Sequence, residues 1–255
     1  MGPGTSQDVP STSAPPASRC AVRPPVHDEI WCGYRNLVYV THPRTGKIEK
    51  WFAVTADEEG QVRHLVCEGE GVWVSVRLES ALRLFHAVTG ELLQEVDIQP
   101  FVLRMFGSGP TPHLRVTALS VICRRLWVGT GTGFVISVPL STELAAGSSP
   151  RMVNGAPAGQ EDPLRSALPP DPSIPYAATP LAQICFHGHR DAVRFLVTVP
   201  ATGSANRGVG ATSNGGASVP SEDELSKLVV SGGEGYVNFR IEQPIDACFG
   251  AVVAH

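Results

Sequence analysis

The sequence lacks several features that would place it in a common functional class. Its longest apolar runs are far shorter than the roughly 20 residues that cross a bilayer, so no transmembrane helix is predicted. The formal net charge of −4 argues against a nucleic-acid-binding protein, which normally presents a basic face. The N-terminus has neither a basic start nor an apolar segment, and a secretory signal is therefore not predicted.

Closely spaced cysteine pairs are also missing. No two of the six cysteines form a C-x-x-C motif, so the spacing favours neither a zinc ribbon nor a redox pair. Without a secretory signal, free buried thiols in a reducing cytosol are the simplest interpretation. The cysteines are Cys20, Cys32, Cys67, Cys123, Cys185 and Cys248.

Three stretches are rich in Gly, Pro, Ser, Thr and Ala, at residues 1–25, 141–179 and 201–224. They contain too little apolar material to offset the entropy of ordering them, and we predict a disordered N-terminal segment and two disordered insertions. The remaining residues, 26–241, carry the ordered domain. Residues 242–255 form a C-terminal tail that does not continue its pattern.

What the ordered part contains is a repeat. Four segments share a short β-rich run, a small polar turn and a second alternating strand, and the run is centred on Trp31, Trp73, Trp127 or Val229. Two-residue turns between alternating strands are typical of β-hairpins. In the first two segments a Thr-Gly turn follows, at Thr45-Gly46 and Thr89-Gly90, and leads directly into another strand.

The spacing of these segments predicts an all-β fold. Trp31 and Trp73 are 42 residues apart, and Trp73 and Trp127 are 54 apart. A period in the forties with this strand order is typical of WD40-like propeller blades. We therefore predict a partial propeller of about four blades. The fourth blade begins at "GHRDAVRFLVTVP", is interrupted by residues 201–224 and resumes at "KLVVSGGEGYVNFRI".

Two motifs suggest binding chemistry, and each has a simpler structural explanation. Cys185, His187 and His189 alternate and would share one face of a strand, as zinc ligands could. No further ligand pair accompanies them, so a hydrogen bond of His189 within its blade is the favoured interpretation. The Gly-rich stretch 129–135 resembles a phosphate loop but has no lysine and no following helix. A hairpin turn in which Gly133 supplies a positive φ is favoured instead.

No motif predicts catalysis, since no Ser-His-Asp arrangement and no G-x-S-x-G elbow is present. We therefore predict no enzyme activity and assign no catalytic, cofactor-binding or metal-binding residue. Arg124-Arg125 before "LWV" resembles a kinase docking motif, but "LWV" is expected to be a buried strand. The Ser/Thr-Pro dipeptides at Thr111, Ser149 and Thr179 are candidate phosphorylation sites of a kind that arises often by chance.

Several strings go beyond a generic propeller, above all "CFHGHRDAV" and "SGGEGYVNFR", together with "GVWVSVRLESALRLFHAVTGELLQEVDIQPFV" and "RLWVGTGTGFVISVPL". They resemble the C-terminal WD40-like domain of the leucine-zipper scaffolds known as C-Jun-amino-terminal kinase (JNK)-interacting proteins three and four. The resemblance runs from about residue 24 to residue 241, excluding the insertions. The propeller of Rho guanine-nucleotide exchange factors is the nearest alternative.

The resemblance implies a cytoplasmic, non-catalytic adaptor. Members of this family assemble kinases of the JNK cascade and link kinesin and dynein–dynactin to vesicle cargo. Their kinase-binding and motor-binding segments, including the one for kinesin light chain, are coiled coils upstream of the propeller, and this chain has no heptad run. After "YVNFRI" the family continues to a strand that contains a Trp, whereas this chain reads "EQPIDACFGAVVAH", which suggests a fragment or an alternative transcript.

Overall fold

The computed structural model of the chain contains four antiparallel sheets. It describes residues 18–25, 28–106, 114–142, 173–185, 189–200, 227–234 and 250–254. The first sheet has the order β1 (Cys20–Val22), β2 (Ile30–Tyr34), β3 (Leu37–Thr41), β4 (Ile48–Ala53). The second has the order β5 (Val62–Glu68), β6 (Gly71–Val76), β7 (Ala81–His86), β8 (Leu92–Asp97).

The third and fourth sheets depart from this four-strand pattern. The third sheet contains β9 (Val116–Ile122), β10 (Arg125–Thr130) and β11 (Val135–Ser141). Two short outer strands, β12 (Tyr176–Ala177) and β13 (Gln183–Cys185), both pair with β11. The described part of the fourth has the order β14 (Val193–Pro200), β15 (Lys227–Gly233), β16 (Gly250–Ala254). A helix, α1 (Gln99–Phe106), connects the second sheet to the third.

The turns follow the predicted chemistry. Gly46 and Gly90 have φ of +67° and +74°, which glycine adopts without steric cost. Arg35 begins the two-residue turn between β2 and β3 with a φ of 49°. Cys123 and Arg124 both have positive φ between β9 and β10, as the favoured twist of a two-residue hairpin requires.

The first strand of each sheet lies innermost. β1 packs against β5, β5 against β9, and β9 against β14, so these strands surround a common axis. Backbone hydrogen bonds connect each sheet to the one before it. Val62 N donates to Arg35 O at 2.7 Å, Val116 N to Glu79 O at 3.3 Å, and His189 N to Gly133 O at 2.9 Å.

One tryptophan fills each contact between neighbouring sheets. Trp31 packs with residues of the second sheet, Trp73 with residues of the third, and Trp127 with residues of the fourth. All three are buried. In the fourth sheet Val230 holds the corresponding place, since it pairs with Val197 as Trp73 pairs with Val66, and it is half-buried. Val229, on which the sequence pattern was centred, is buried and faces the third sheet. The predicted all-β, incomplete WD40-like propeller is therefore confirmed.

Three predicted boundaries need correction. β1 lies inside the segment 1–25 that was predicted to be disordered, because it pairs with β2 as the innermost strand of the first sheet. The predicted insertion 141–179 is too long at both ends, since Ser141 ends β11 and residues 173–178 pack between two sheets. The tail 242–255 was predicted to diverge from the repeat pattern, yet Gly250–Ala254 forms a strand that pairs with β15.

Residues 173–178 are held by specific hydrogen bonds. Trp73 Nε1 donates to Pro175 O at 3.2 Å. The buried Gln94 amide both donates to Ala177 O and accepts from Ala177 N, at 3.1 and 2.8 Å. This segment therefore closes the contact between the second and third sheets. The rest of that insertion, the insertion at 201–224 and the predicted strand "YVNFR" lie outside the described residues.

The fourth sheet has an exposed apolar face. Val193 and Leu196 face the third sheet and are buried. Phe195, Val197 and Val199 are 42%, 45% and 39% exposed, which is unusual for three large apolar residues on one strand. In a longer propeller this face would be covered by a further sheet, so the exposure agrees with an incomplete one.

Replacing Trp73 with alanine should destabilise the domain by about 3–5 kcal/mol, because it empties a fully buried aromatic site and leaves the Pro175 carbonyl without its donor. Trp51 is a matched control, since it lies half-buried on the outer strand β4. Urea unfolding should show a clearly smaller loss for Trp51→Ala. Equal midpoints for both variants would contradict the packing described above.

Replacing Gly133 with alanine should destabilise the contact between the third and fourth sheets. Gly133 has a φ of +88°, and a Cβ there would lie 1.8 Å from His189 O. At Gly46 the φ is also positive, but no atom lies within 4 Å of the position that a Cβ would take. We expect Gly46→Ala to cost about 1–2 kcal/mol of backbone strain and Gly133→Ala several kcal/mol more, measured by denaturant unfolding. A loss of equal size in both would show that the close approach to His189 has no consequence.

Candidate functional site

The two described residues of the Cys185, His187 and His189 motif do not lie on one strand. β13 ends at Cys185 in the third sheet, whereas His189 lies beyond it and contacts the fourth sheet. His187 lies outside the described residues. Within the described ranges, no three His, Cys, Asp or Glu side chains are grouped as metal ligands would be. The alternation in sequence was misleading because β13 ends at Cys185 and His189 lies outside it.

His189 instead makes the hydrogen bond expected within its blade. Its Nε2 lies 2.9 Å from Ser231 Oγ on β15. His64 also bonds a serine, since its Nδ1 lies 2.8 Å from Ser75 Oγ on the neighbouring strand β6. His189 lies before β14 and His64 within β5, but each ring ties its segment to the second strand of a sheet, so these histidines act in the fold.

Burial suppresses the charge of both histidines. The pKa of His64 is lowered to about 4, mainly by burial and secondly by the positive charge of Arg63, while a backbone hydrogen bond with Thr117 opposes the shift. Burial likewise lowers the pKa of His189. Both rings are therefore neutral at physiological pH, as their hydroxyl partners allow.

The remaining sequence motifs are structural. The stretch 129–135 is the hairpin turn between β10 and β11, as predicted. After Arg124-Arg125 the residues Leu126, Trp127 and Val128 are buried, so they are not available to a docking partner. Thr179 is half-buried at the start of a 3₁₀ turn, Thr179–Leu181, while Thr111 and Ser149 lie outside the described residues.

The five described cysteines are free. Burial raises the pKa of the Cys20 thiol to about 11 and also raises that of Cys67, so neither is a thiolate nucleophile at neutral pH. Cys123 is exposed in the turn before β10, which corrects the prediction that all the thiols are buried.

The most distinctive site lies at one end of the propeller axis. A cavity of about 580 Å³ is lined by five arginines, together with Leu78 and the first residues of β9. Four of the five come from the starts of the innermost strands. Arg19 and Arg115 immediately precede β1 and β9, and Arg63 and Arg194 are the second residues of β5 and β14. The fifth, Arg77, follows the end of β6.

The arginines of the cavity differ in their partners. Arg194 forms an ion pair with Glu234, and Arg77 Nη1 donates to Gln61 Oε1 at 3.4 Å. The side chains of Arg19, Arg63 and Arg115 have no ion pair within the described ranges, and no acidic residue is among those that line the cavity. Arg115 lies across Gly131, where a Cβ would come within 2.5 Å of its Nε.

Sequence reasoning missed this site because the arginines are scattered over a chain of negative net charge. A signal was present: "VRHLV" at 62–66 and "VRFLV" at 193–197 repeat the same arginine beside the same apolar positions. Only the alignment of all four innermost strands shows that each begins with an arginine.

Acidification should destabilise the folded chain through His64. The unfolded imidazole titrates near pH 6.5 and the folded one near 4, so between these values only the unfolded chain takes up the proton. Above about pH 6.5 the contribution of the neutral ring to the free energy of unfolding is fully present. As the pH drops to 4, the free energy of unfolding falls by on the order of 2–3 kcal/mol. His64→Gln should reduce the difference between the free energies of unfolding that urea titration gives at pH 7.5 and at pH 5.

Ser75→Ala is the matched control for this measurement. It removes the hydroxyl partner of His64 but keeps the buried ring, so stability should fall at both pH values while the pH dependence persists. An unchanged pH dependence in His64→Gln would assign the acid sensitivity to other groups.

Comparison with known proteins agrees with this architecture. The family model of the WD40 repeated domain matches residues 22–144, which span the first three sheets. In the described part of the chain, no helix has the length and apolar character needed to cross a membrane.

Curated relatives extend the similarity beyond the matched repeats. Human C-Jun-amino-terminal kinase-interacting protein 4 is 46% identical over 85% of this chain and 17% of its own length. Mouse C-Jun-amino-terminal kinase-interacting protein 3 is 41% identical over 89% of this chain and 19% of its own length. Mouse Rho guanine nucleotide exchange factor 17 is more distant, at 30% identity over 85% of this chain and 10% of its own length.

The chain thus spans about a sixth of the length of the interacting proteins that it matches. Their identity to this chain exceeds that of the exchange factor by more than ten percentage points over similar coverage. Over most of its length the chain is thus similar to a region of the C-Jun-amino-terminal kinase-interacting proteins 3 and 4, and its residues 22–144 match the WD40 repeated domain.

Proposed function

We propose that the chain is a non-catalytic protein-interaction module of a cytoplasmic scaffold that assembles JNK-pathway kinases and links kinesin and dynein–dynactin to vesicle cargo. The observation that carries this proposal is the 46% identity to a JNK-interacting protein over 85% of the chain. The fold supports it, because the polar groups that sequence motifs singled out are used within and between the sheets.

A second function is supported by the similarity to Rho guanine nucleotide exchange factor 17. In that case the chain would be the propeller of an exchange factor rather than of a scaffold. The lower identity makes this the weaker proposal, and domain replacement distinguishes the two.

The purified chain should not capture JNK or kinesin light chain by itself at micromolar concentration. By the family resemblance, coiled coils bind these partners, whereas the described part of this chain is built almost entirely from strands. Pull-down with purified JNK and kinesin light chain provides the measurement, and human JNK-interacting protein 4 serves as the positive control. Direct capture by the chain would show that the propeller itself carries the docking surface.

Domain replacement tests the scaffold role of the module. In human JNK-interacting protein 4, the matching region is deleted or exchanged for this chain, and JNK activation and vesicle movement are measured in cells. The exchange should restore what the deletion removes, and the same exchange carrying Trp73→Ala should restore less. Rescue of mouse exchange factor 17 by this chain, without rescue of the JNK-interacting protein, would favour the second function.

A further inference from the structure

The arginine-lined cavity concentrates positive charge in a chain whose formal net charge is −4. All five guanidinium-bearing side chains are exposed, and four of them have no ion pair in the described part of the chain. Charges that line one cavity lie within each other's field, since the Debye length at physiological ionic strength is about 8 Å. Their mutual repulsion is unfavourable until an anion occupies the space between them.

The field of these arginines reaches the neighbouring groups. The charge of Arg63 lowers the pKa of His64 on the same strand and acts in the same direction on Cys20 of the first sheet. This effect extends from β5 to β1, although burial dominates the pKa of Cys20 and raises it.

The arrangement of the charges selects the shape of the anion. The arginines arise from four different sheets and converge on a single cavity, so they surround a ligand instead of following it along a groove. An extended acidic peptide presents its carboxylates in a line and could meet few of them at once. A compact molecule with phosphate groups on several sides could meet most of them.

The chemistry and the size of the cavity agree with such a ligand. Each guanidinium presents a planar fork of donors that matches phosphate oxygens, and the cavity contains arginine but no lysine. Its volume of about 580 Å³ lies within the roughly 300–1,000 Å³ typical of small-molecule sites.

We infer that this cavity is a binding site for a compact polyphosphate anion. The ligand is either a soluble polyphosphorylated small molecule or the headgroup of a polyphosphorylated lipid, since both offer the same chemistry. The site is separate from the proposed scaffold role, because it requires only the four innermost strands and their arginines.

Isothermal titration calorimetry of the full chain with inositol hexakisphosphate tests the inference. We expect saturable binding of one equivalent that weakens steeply as the salt concentration rises. Arg63→Gln and Arg115→Gln should each weaken binding about tenfold or more, because each removes a charge-assisted contact from an exposed side chain without disturbing the core. Arg63→Lys, which keeps the charge but not the fork, should weaken binding less than Arg63→Gln.

Arg44→Gln is the matched control. Arg44 is exposed in the turn between β3 and β4 and does not line the cavity, so its loss removes the same charge elsewhere. Circular dichroism and thermal unfolding verify that each variant is folded. Absence of binding to the wild-type chain, equal affinity for the cavity variants, or an equal loss in Arg44→Gln would each overturn the inference.

Two further measurements fix the class of ligand. Sedimentation with phosphatidylcholine vesicles, with and without phosphatidylinositol 4,5-bisphosphate, reveals whether the headgroup is also bound when it is displayed on a membrane. Binding that requires the bisphosphate and is lost in Arg63→Gln supports the lipid source, and binding of the soluble anion alone supports the free one. A poly-glutamate peptide that binds as tightly as inositol hexakisphosphate would contradict selection of a compact polyphosphate.

Discussion

The packing of one tryptophan from each of the first three sheets against the next sheet is the interaction on which the rest of the fold depends. On β6, Trp73 faces the third sheet while Val72 and Val74 face the first, so every residue of that strand is buried. Because both faces of the second sheet are buried against neighbouring sheets, the innermost strands of these sheets lie side by side. That arrangement, in turn, brings arginines from distant parts of the chain to one cavity.

Much of this architecture is visible in the sequence because it is repetitive. The Trp-centred strands and the Thr-Gly turns combine alternating burial with turn residues that have one favoured conformation. The innermost strands are harder to recognise. In β5 the arginine and histidine at 63 and 64 interrupt the alternation, because a bulge lies between Val62 and His64. The helix α1 has only eight residues and owes its place to packing through Val102, which no local pattern reveals.

The candidate site shows a different limit of sequence reasoning. Cys185 and His189 look like ligands because they alternate, but β13 ends at Cys185, and His189 lies beyond it with its ring bonded to Ser231 of the fourth sheet. The arginines look unrelated because dozens of residues separate them, yet they become neighbours once the four sheets are arranged about an axis. Spacing predicts proximity only within an element, and the assembly of the sheets determines the rest.

The exposed face of β14 bears on how the chain loses its structure. The second sheet gains apolar burial from both sides, whereas Phe195, Val197 and Val199 receive none from beyond the fourth sheet. In repeat-like folds the local free energy of opening follows such neighbour contacts. We therefore expect the fourth sheet to open more readily than the second, so that amide hydrogen exchange proceeds there through local opening while the second sheet stays closed. Any molecule that covers this face would bring the fourth sheet into the same unfolding transition as the others.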